Sequence, residues 1–230
     1  GLLGDLEFVV GALIGEPGMD FKVSQGVTTV IAGNCGISMA PLPPAGELPA
    51  PMNLVATGNA PRFHSLAAYF ARLEAAPPTV NVAMLVGHTS LRACTMDDFG
   101  RAASGDEIAA MRALLAEAMD DGALGLSSGT FYPPAAAAPT EEPIGVGRAL
   151  TGRGGLYVTH MRDEAHRVVE SIDETLRIGR ALDVPVIVSH HKVMHQPNFG
   201  RSAQTLAQIA AAMTQQCVGL DCYPYTAGST

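Results

Sequence analysis

The sequence lacks any apolar run close to the roughly 20 residues that a membrane-spanning helix needs. Positive charge is also scarce: 14 Lys and Arg against 22 Asp and Glu give a net charge of −8, which argues against a nucleic-acid-binding surface. Only four cysteines are present, with no CxxC spacing, so we expect no disulfide framework and a reducing, cytoplasmic setting. No signal peptide opens the sequence. These absences favour a small-molecule partner, with neither membrane nor nucleic acid.

What is present suffices for one large core. The 230 residues are 47% apolar and only 16% charged, a composition that excludes disorder. No linker divides the sequence, so we expect a single domain over residues 1–230. It begins on GLLGDLEF without an initiator Met, and we therefore expect a piece of a longer chain.

Short apolar runs alternate with Ala-rich segments of helical period. Each run is nearly continuous in apolar residues, as is typical of strands buried on both faces of a parallel sheet. The last three runs begin about thirty residues apart, the length of one βα unit. The runs are residues 26–32, 81–87, 123–127, 155–160, 185–190 and 218–223, with residues 5–9 as a seventh strand-like run.

Repeated βα units predict either a doubly wound sheet or a (β/α)8 barrel. Polar residues follow one run after another, which is typical of the barrel, whose working residues lie at the carboxyl ends of the strands. No GxGxxG or GxxxxGKS phosphate loop is present. We therefore predict a (β/α)8 TIM barrel, incomplete because no eighth strand is found. The residues at the ends of the runs or shortly after them are Cys35, His88, Ser127, Ser128, His160, His190, His191, Asp221 and Tyr223.

Local signals predict several of the connecting segments. Ser65 begins one helix as its N-cap, and Ser104 with Glu107 forms a capping box at the start of another. A further helix is expected over residues 163–182. The proline-rich stretch 41–61 is predicted to be a loop on the surface. Pro143 and Gly145 are predicted to interrupt residues 140–150, where a barrel helix is expected.

Three residues at strand ends have the side chains that zinc prefers. His160 and His190 end two successive runs, and Cys35 lies in a tight glycine turn, AGNCGIS, after the first. Together they would make a Cys/His/His zinc site. The alternatives stay open at this point: each His can be a hydrogen-bonded residue of the rim, and Cys35 a small buried apolar residue.

A second group of residues could hold a substrate. Lys192 follows the His pair and could bind a carboxylate, although a solvated surface lysine is the simpler interpretation. Tyr223, Tyr225 and Ser229 in DCYPYTAGST could donate hydroxyl hydrogen bonds, or could belong to a structured turn around Pro224.

Seven segments in order, SQGVTTVIAGNCGIS, NVAMLVGHTSLR, GALGLSSGTFYPP, YVTHMRDE, VIVSHHK, NFGRSAQTL and DCYPYTAGST, resemble the N-acyl-D-amino-acid deacylases, the D-aminoacylase branch of the amidohydrolase superfamily. The resemblance implies a (β/α)8 barrel with Zn²⁺ at the strand ends. By motif position it implies zinc ligands at Cys35, His160 and His190. It also implies that Lys192, Tyr223 and Ser229 grip the substrate carboxylate.

The resemblance also has gaps. The family's His-x-His pair on the first strand falls on Gly1 and Leu3, and its catalytic Asp at the end of the eighth strand lies beyond Thr230. The small β-domain of the family has no counterpart. The implied reaction is zinc-dependent hydrolysis of N-acyl-D-amino acids, with the 230-residue chain alone impaired. The alternative is a non-catalytic metal-binding fragment without the catalytic base; a phosphate-binding barrel is disfavoured, because YPYTAGST contains one Gly.

Overall fold

A computed structural model describes residues 6–55 and 61–225. Six strands form one sheet, and every neighbouring pair is parallel. Each predicted run from residue 26 onward overlaps one of them, so these six strand predictions are confirmed; the third strand extends two residues beyond its predicted run. The strands are β1 (Thr29–Ala32), β2 (Asn81–Gly87), β3 (Gly125–Gly129), β4 (Leu156–His160), β5 (Val186–Val188) and β6 (Val218–Leu220).

The strand order decides between the two predicted architectures. The strands lie in the sheet in chain order, from β1 to β6, whereas a doubly wound sheet reverses its order at a switch point. A sheet that adds each parallel strand on the same side is the arrangement of a (β/α)8 barrel. The predicted class is therefore confirmed, with six barrel strands in the described part of the chain.

Helices cover the segments between the strands. Within the described residues the helices are α1 (Leu6–Gly15), α2 (Asp20–Val23), α3 (Met52–Val55), α4 (Leu66–Ala75), α5 (His88–Thr95), α6 (Gly105–Asp120), α7 (Pro133–Ala136), α8 (Glu141–Gly147), α9 (Val168–Leu182) and α10 (Ser202–Ala212), with 3₁₀ turns at Arg148–Leu150 and Gln196–Asn198. None of the described helices is both long and apolar enough to cross a bilayer.

The prediction of a seventh strand-like run over residues 5–9 is wrong. From Leu6 onward the segment is helix α1, with sequence LEFVVGALIG, while residue 5 lies outside the described residues. The first four residues of the run DLEFV alternate between acidic and apolar side chains as a strand does, but five residues are too few to exclude a helix. Here the helix extends six residues further, to Gly15, and packs on β1.

The predicted helix starts at the two serine caps are confirmed. Ser65 Oγ accepts a hydrogen bond from Ala68 N at 3.2 Å, and Ser104 with Glu107 forms the full capping box of α6. The helix expected from residue 163 begins five residues later, at Val168. Asp163 Oδ1 accepts hydrogen bonds from Ala165 N and Arg167 N, and this local turn delays the helix.

The interruption predicted at Pro143 and Gly145 is wrong, because both residues lie inside α8, which ends only at Gly147, where a 3₁₀ turn follows. Pro143 is in the first turn of the helix, where its missing N–H costs no helical hydrogen bond. The surface loop predicted for residues 41–61 is only partly right. Leu42, Leu48 and Met52 are buried in the main core, because apolar side chains lie among the prolines. Residues 56–60 lie outside the described residues.

Candidate metal centre

The three predicted zinc ligands converge. His160 is the last residue of β4, His190 lies two residues beyond β5, and Cys35 lies three residues beyond β1. One ligand atom from each lies within 4.8 Å of the other two. Cys35 Sγ is 3.4 Å from His190 Nε2, and the two imidazole centroids are 4.4 Å apart. The convergence expected from their strand-end positions is therefore present.

The donor set fits a zinc ion. Within the described part of the chain His160 Nε2 is buried and has no hydrogen-bond partner, which leaves its lone pair available. Burial lowers the pKa of His160 to about 3, so the imidazole is neutral near pH 7. Tetrahedral bonds of about 2.3 Å to sulfur and about 2.0–2.1 Å to nitrogen would place these donors about 3.6 Å apart. The separation of Cys35 Sγ and His190 Nε2, 3.4 Å, is close to that value.

The turn that carries Cys35 packs tightly against β3. Gly36 has φ +81° and donates its N–H to Ser127 Oγ at 3.1 Å. A Cβ on Gly129 would lie 2.1 Å from the Cys35 carbonyl oxygen, so glycine is required there for the two backbones to approach. The glycines therefore allow the thiol to reach the neighbouring strand ends.

Glu164 contacts both His190 and Lys192, and the sequence analysis did not identify it as a site residue. Its side chain is 1% exposed; Oε1 lies 3.1 Å from His190 Nδ1 and Oε2 lies 2.5 Å from Lys192 Nζ. Burial pushes the pKa of Glu164 upward, but the hydrogen bond from His190 and the nearby positive charges hold it below its ordinary value. A proton on Nδ1 facing this carboxylate leaves His190 Nε2 for a metal. The available signal was its position, four residues after His160 in THMRDE.

Of the candidate substrate-binding residues, the structure describes Lys192, Tyr223 and Tyr225, and the exposed Tyr225 ring lies 6.3 Å from that of Tyr223. Lys192 Nζ lies 3.1 Å from the His190 carbonyl oxygen and 5.5 Å from the centre of the Tyr223 ring, and that ring lies 6.5 Å from the His190 imidazole. The Lys192 and Tyr223 side chains therefore border the metal centre, while their role toward substrate stays a prediction. Ser229 lies outside the described residues, as do Gly1 and Leu3.

Other strand-end residues complete the surroundings. Asp221 Oδ1 accepts a hydrogen bond from His190 N at 2.7 Å, and burial raises the pKa of this carboxyl. Phe131 stacks on His160 with 5.1 Å between ring centres, and Tyr132 OH lies 3.4 Å from His160 Nδ1. Both aromatic residues were missed. His88 is not among the converging ligands, because it begins α5 and its Nε2 contacts Glu142 at 3.0 Å.

Comparison with known proteins gives close relatives and no matching family model. D-aminoacylase from Alcaligenes xylosoxydans xylosoxydans is 59% identical over 91% of the chain and 43% of its own length. N-acyl-D-aspartate deacylase from the same organism is 52% identical over 96% of the chain and 44% of its own length. The chain thus spans less than half the length of the curated relatives it matches.

Solved structures agree with this result. A D-aminoacylase crystal structure, described as defining a novel subset of amidohydrolases, is 54% identical with a TM-score of 0.93 over 96% of the chain and 46% of that protein. N-acyl-D-glutamate deacylase from Bordetella bronchiseptica, complexed with zinc and a phosphonate mimic of the tetrahedral intermediate, is 42% identical with a TM-score of 0.88 over 93% of the chain and 45% of that protein. Sequence, fold and the converging ligands together place the chain in the N-acyl-D-amino-acid deacylase family of the amidohydrolases.

Proposed function

We propose that the chain carries the zinc site of an N-acyl-D-amino-acid deacylase, which hydrolyses the amide bond to give a carboxylate and a free D-amino acid. The observation that carries the proposal is the convergence of Cys35, His160 and His190, with the buried His160 Nε2 lacking a hydrogen-bond partner among the described residues. Thiolate and neutral imidazole are preferred zinc ligands, and three protein ligands with an open fourth position are typical of catalytic sites.

The protein residues have separate roles in this proposal. Cys35, His160 and His190 hold the ion, and Glu164 keeps the proton of His190 on Nδ1. When bound, zinc polarises a carbonyl oxygen and lowers the pKa of water toward 7. The burial of Cys35 and His160, each about 6% exposed or less, keeps bulk water away from two of the ligands and strengthens local electrostatic interactions.

Lys192 is assigned to the substrate carboxylate in this proposal. An ammonium group has three N–H donors. Glu164 Oε2 and the His190 carbonyl oxygen accept two of them. Lys192 Nζ also lies 2.9 Å from His190 Nδ1, but a ring nitrogen that donates its proton to Glu164 cannot accept one, so the third N–H can point toward a ligand. The side chain is 24% exposed, so a carboxylate can reach it. Tyr223 and Ser229 are assigned to the same substrate group.

Proton transfer is assigned to the Asp that the family resemblance places beyond Thr230. The two carboxylates that contact His190 are engaged in holding it: Glu164 faces its Nδ1 and Asp221 accepts from its backbone N–H. A carboxylate in that position orients a ligand rather than taking a proton from water. The base is therefore a separate group in this proposal.

Metal analysis with two variants tests the zinc site. We expect one zinc ion per chain in the parent and none retained by the chain that combines Cys35→Ala with His190→Ala. Cys94→Ala, which removes another free cysteine, on α5, is the matched control and should keep the metal. Zinc binding that survives the double substitution would overturn the proposed site.

An enantiomer assay tests the reaction. With zinc present, a chain that includes the expected Asp beyond Thr230 should hydrolyse N-acetyl-D-amino acids and leave the L enantiomers intact, and residues 1–230 alone should be slower by about 100-fold or more. Binding of zinc without hydrolysis of either enantiomer would favour the alternative, a non-catalytic metal-binding fragment. Preferential hydrolysis of the L enantiomers would contradict the proposed substrate class.

A further inference from the structure

Two of the three metal-facing residues have an uncommon backbone. Cys35 has φ 50° and His190 has φ 39°, although neither is a glycine. Left-handed conformations of this kind are costly for residues with a Cβ and persist where the surrounding structure determines them. Something adjacent to each ligand must therefore hold its turn.

The residue before each ligand supplies that contact. Asn34 Nδ2 donates to Ser189 Oγ at 3.0 Å, and Ser189 Oγ donates to Asn34 Oδ1 at 3.2 Å. Both residues are at least 96% buried. They follow β1 and β5, which are not neighbours in the sheet, so the pair spans the barrel interior between the turns that carry Cys35 and His190.

The same pair connects to the third ligand. Ser189 N donates to the carbonyl oxygen of Thr159 at 3.0 Å, and Thr159 immediately precedes His160. On the other side, the Asn34 carbonyl oxygen accepts from Ile37 N at 2.9 Å and closes the turn around Cys35. One connected set of hydrogen bonds thus joins the residues that come directly before all three ligands.

We propose that Asn34 and Ser189 are positioning residues, which hold Cys35 and His190 at the separation that a zinc ion needs. This inference rests on the proposed zinc site. Replacing both partners of a buried hydrogen-bonded pair by apolar groups is often nearly neutral for stability. Stability therefore does not by itself require Asn34 and Ser189, and their position next to Cys35 and His190 indicates a role in metal binding. Groups that orient metal ligands typically change metal affinity by about 10- to 100-fold when they are replaced.

Zinc affinity, measured by competition with a chromophoric chelator, is the primary test. We expect Ser189→Ala and Asn34→Ala each to weaken zinc binding by about 10- to 100-fold. The double variant should bind little more weakly than either single variant, because both changes remove the same contact. Ser189→Thr, which keeps the hydroxyl, should restore most of the affinity.

A matched control separates positioning from general stability. Thr175 on α9 is also buried and donates its hydroxyl to the Ser171 carbonyl oxygen at 2.8 Å. Thr175→Val should lower thermal stability without changing zinc affinity. Cobalt added to the metal-free chain gives a second reading, because its thiolate charge-transfer band should weaken in Ser189→Ala and persist in Thr175→Val.

The outcomes are distinguishable. A parent that binds zinc together with Ser189→Ala and Asn34→Ala variants of equal affinity overturns this inference and leaves the proposed function standing. Independent, additive losses in the double variant also overturn it. A parent that binds no zinc overturns the proposed site and the inference with it. If Asn34→Ala fails to fold, Ser189→Ala against Ser189→Thr decides the question alone.

Discussion

Two buried polar clusters in this protein differ in the arrangement of their side chains: one pairs its charges internally, and the other brings possible metal-ligand atoms together. The first, the metal-facing cluster, lies at the strand ends and consists of Cys35, His160, Glu164, His190 and Lys192. The second, the Glu142 cluster, lies between α5 and α8 and consists of His88, Arg92 and Glu142, whose side chains have 0% exposure.

The Glu142 cluster pairs its charges internally. Glu142 accepts hydrogen bonds from His88, from Arg92 and, at 2.8 Å, from Ala103 N. Arg92 also donates to the Arg101 carbonyl oxygen at 2.8 Å. Each charge is therefore met by a group of the protein, and the cluster joins two helices.

In the metal-facing cluster, lone pairs converge on one point. Both clusters contain buried nitrogens without a partner, among them His160 Nε2 in the first and His88 Nδ1 in the second. Among the described residues, only the first also brings three ligand atoms within 4.8 Å of one another. The comparison shows that buried charge and an unpaired ring nitrogen occur in both clusters, whereas three ligand atoms close enough to share one metal ion occur, among the described residues, in the first alone.

The largest effect is expected when the Glu142 cluster is broken. Glu142→Ala leaves Arg92 buried without its counter-charge and should lower the free energy of unfolding by about 3–5 kcal/mol, while folded protein keeps its zinc affinity. Glu141→Ala is the control, because that exposed residue pairs with Arg177 at the surface and such pairs contribute about 0–1 kcal/mol. Chemical unfolding measures both variants, and equal losses would contradict the role of Glu142.

Acid should remove the stabilisation that comes from the charge of Glu142. Burial alone would raise the pKa of Glu142, but His88 and Arg92 together bring it from 4.5 down to about 2. Because the folded pKa is below the unfolded one, the stabilisation is present above pH 4.5 and is lost as the pH falls toward 2. The loss has a slope of at most about 1.4 kcal/mol per pH unit.

Unfolding curves for the parent and Glu142→Gln, recorded over that pH range, measure this loss. The variant is expected to be less stable at neutral pH and less sensitive to acid than the parent. An identical acid dependence in both proteins would show that another carboxyl group is responsible.

A smaller effect is expected for Lys192→Met in the proposed deacylase reaction. Loss of a charged hydrogen bond to the substrate carboxylate should raise KM for N-acetyl-D-amino acids by about 10- to 150-fold, equivalent to about 1.5–3 kcal/mol. Lys22→Met is the control, since Lys22 lies on α2 beside Phe21. An unchanged kcat/KM in Lys192→Met would reduce Lys192 to a surface charge.

The smallest effect is expected for Glu164→Gln, which keeps the shape of the side chain and removes its charge. Zinc affinity should fall by about 10- to 100-fold, because His190 loses the carboxylate that orients its ring. Glu142→Gln is the matched change in the other cluster and should leave zinc affinity unaltered. If both variants or neither changed zinc affinity, the distinction between the two clusters would fail.

The local patterns of the sequence were sufficient for most of the framework. Continuous apolar runs marked the six strands, and Ser65 and Ser104 marked helix starts, because the capping contacts involve residues only three positions apart. Residues 5–9 and the proline-rich stretch were harder to interpret. In both, only the contacts with the rest of the fold decide between strand and helix or between surface and core.

The alternating βα architecture and the chemical types of the three proposed ligands could be predicted from local sequence patterns alone. The βα architecture also predicts that these three side chains lie at one end of the barrel, because parallel strands all have their carboxyl ends at the same edge of the sheet. The three-dimensional fold was needed to show that Cys35 and His190, which are 155 residues apart and follow strands that are not neighbours, lie 3.4 Å from each other. It also decided that Glu164, Asn34 and Ser189 would support them. The physical reason is the curvature of the sheet, which brings β1 toward β5 across the interior and which no local pattern records.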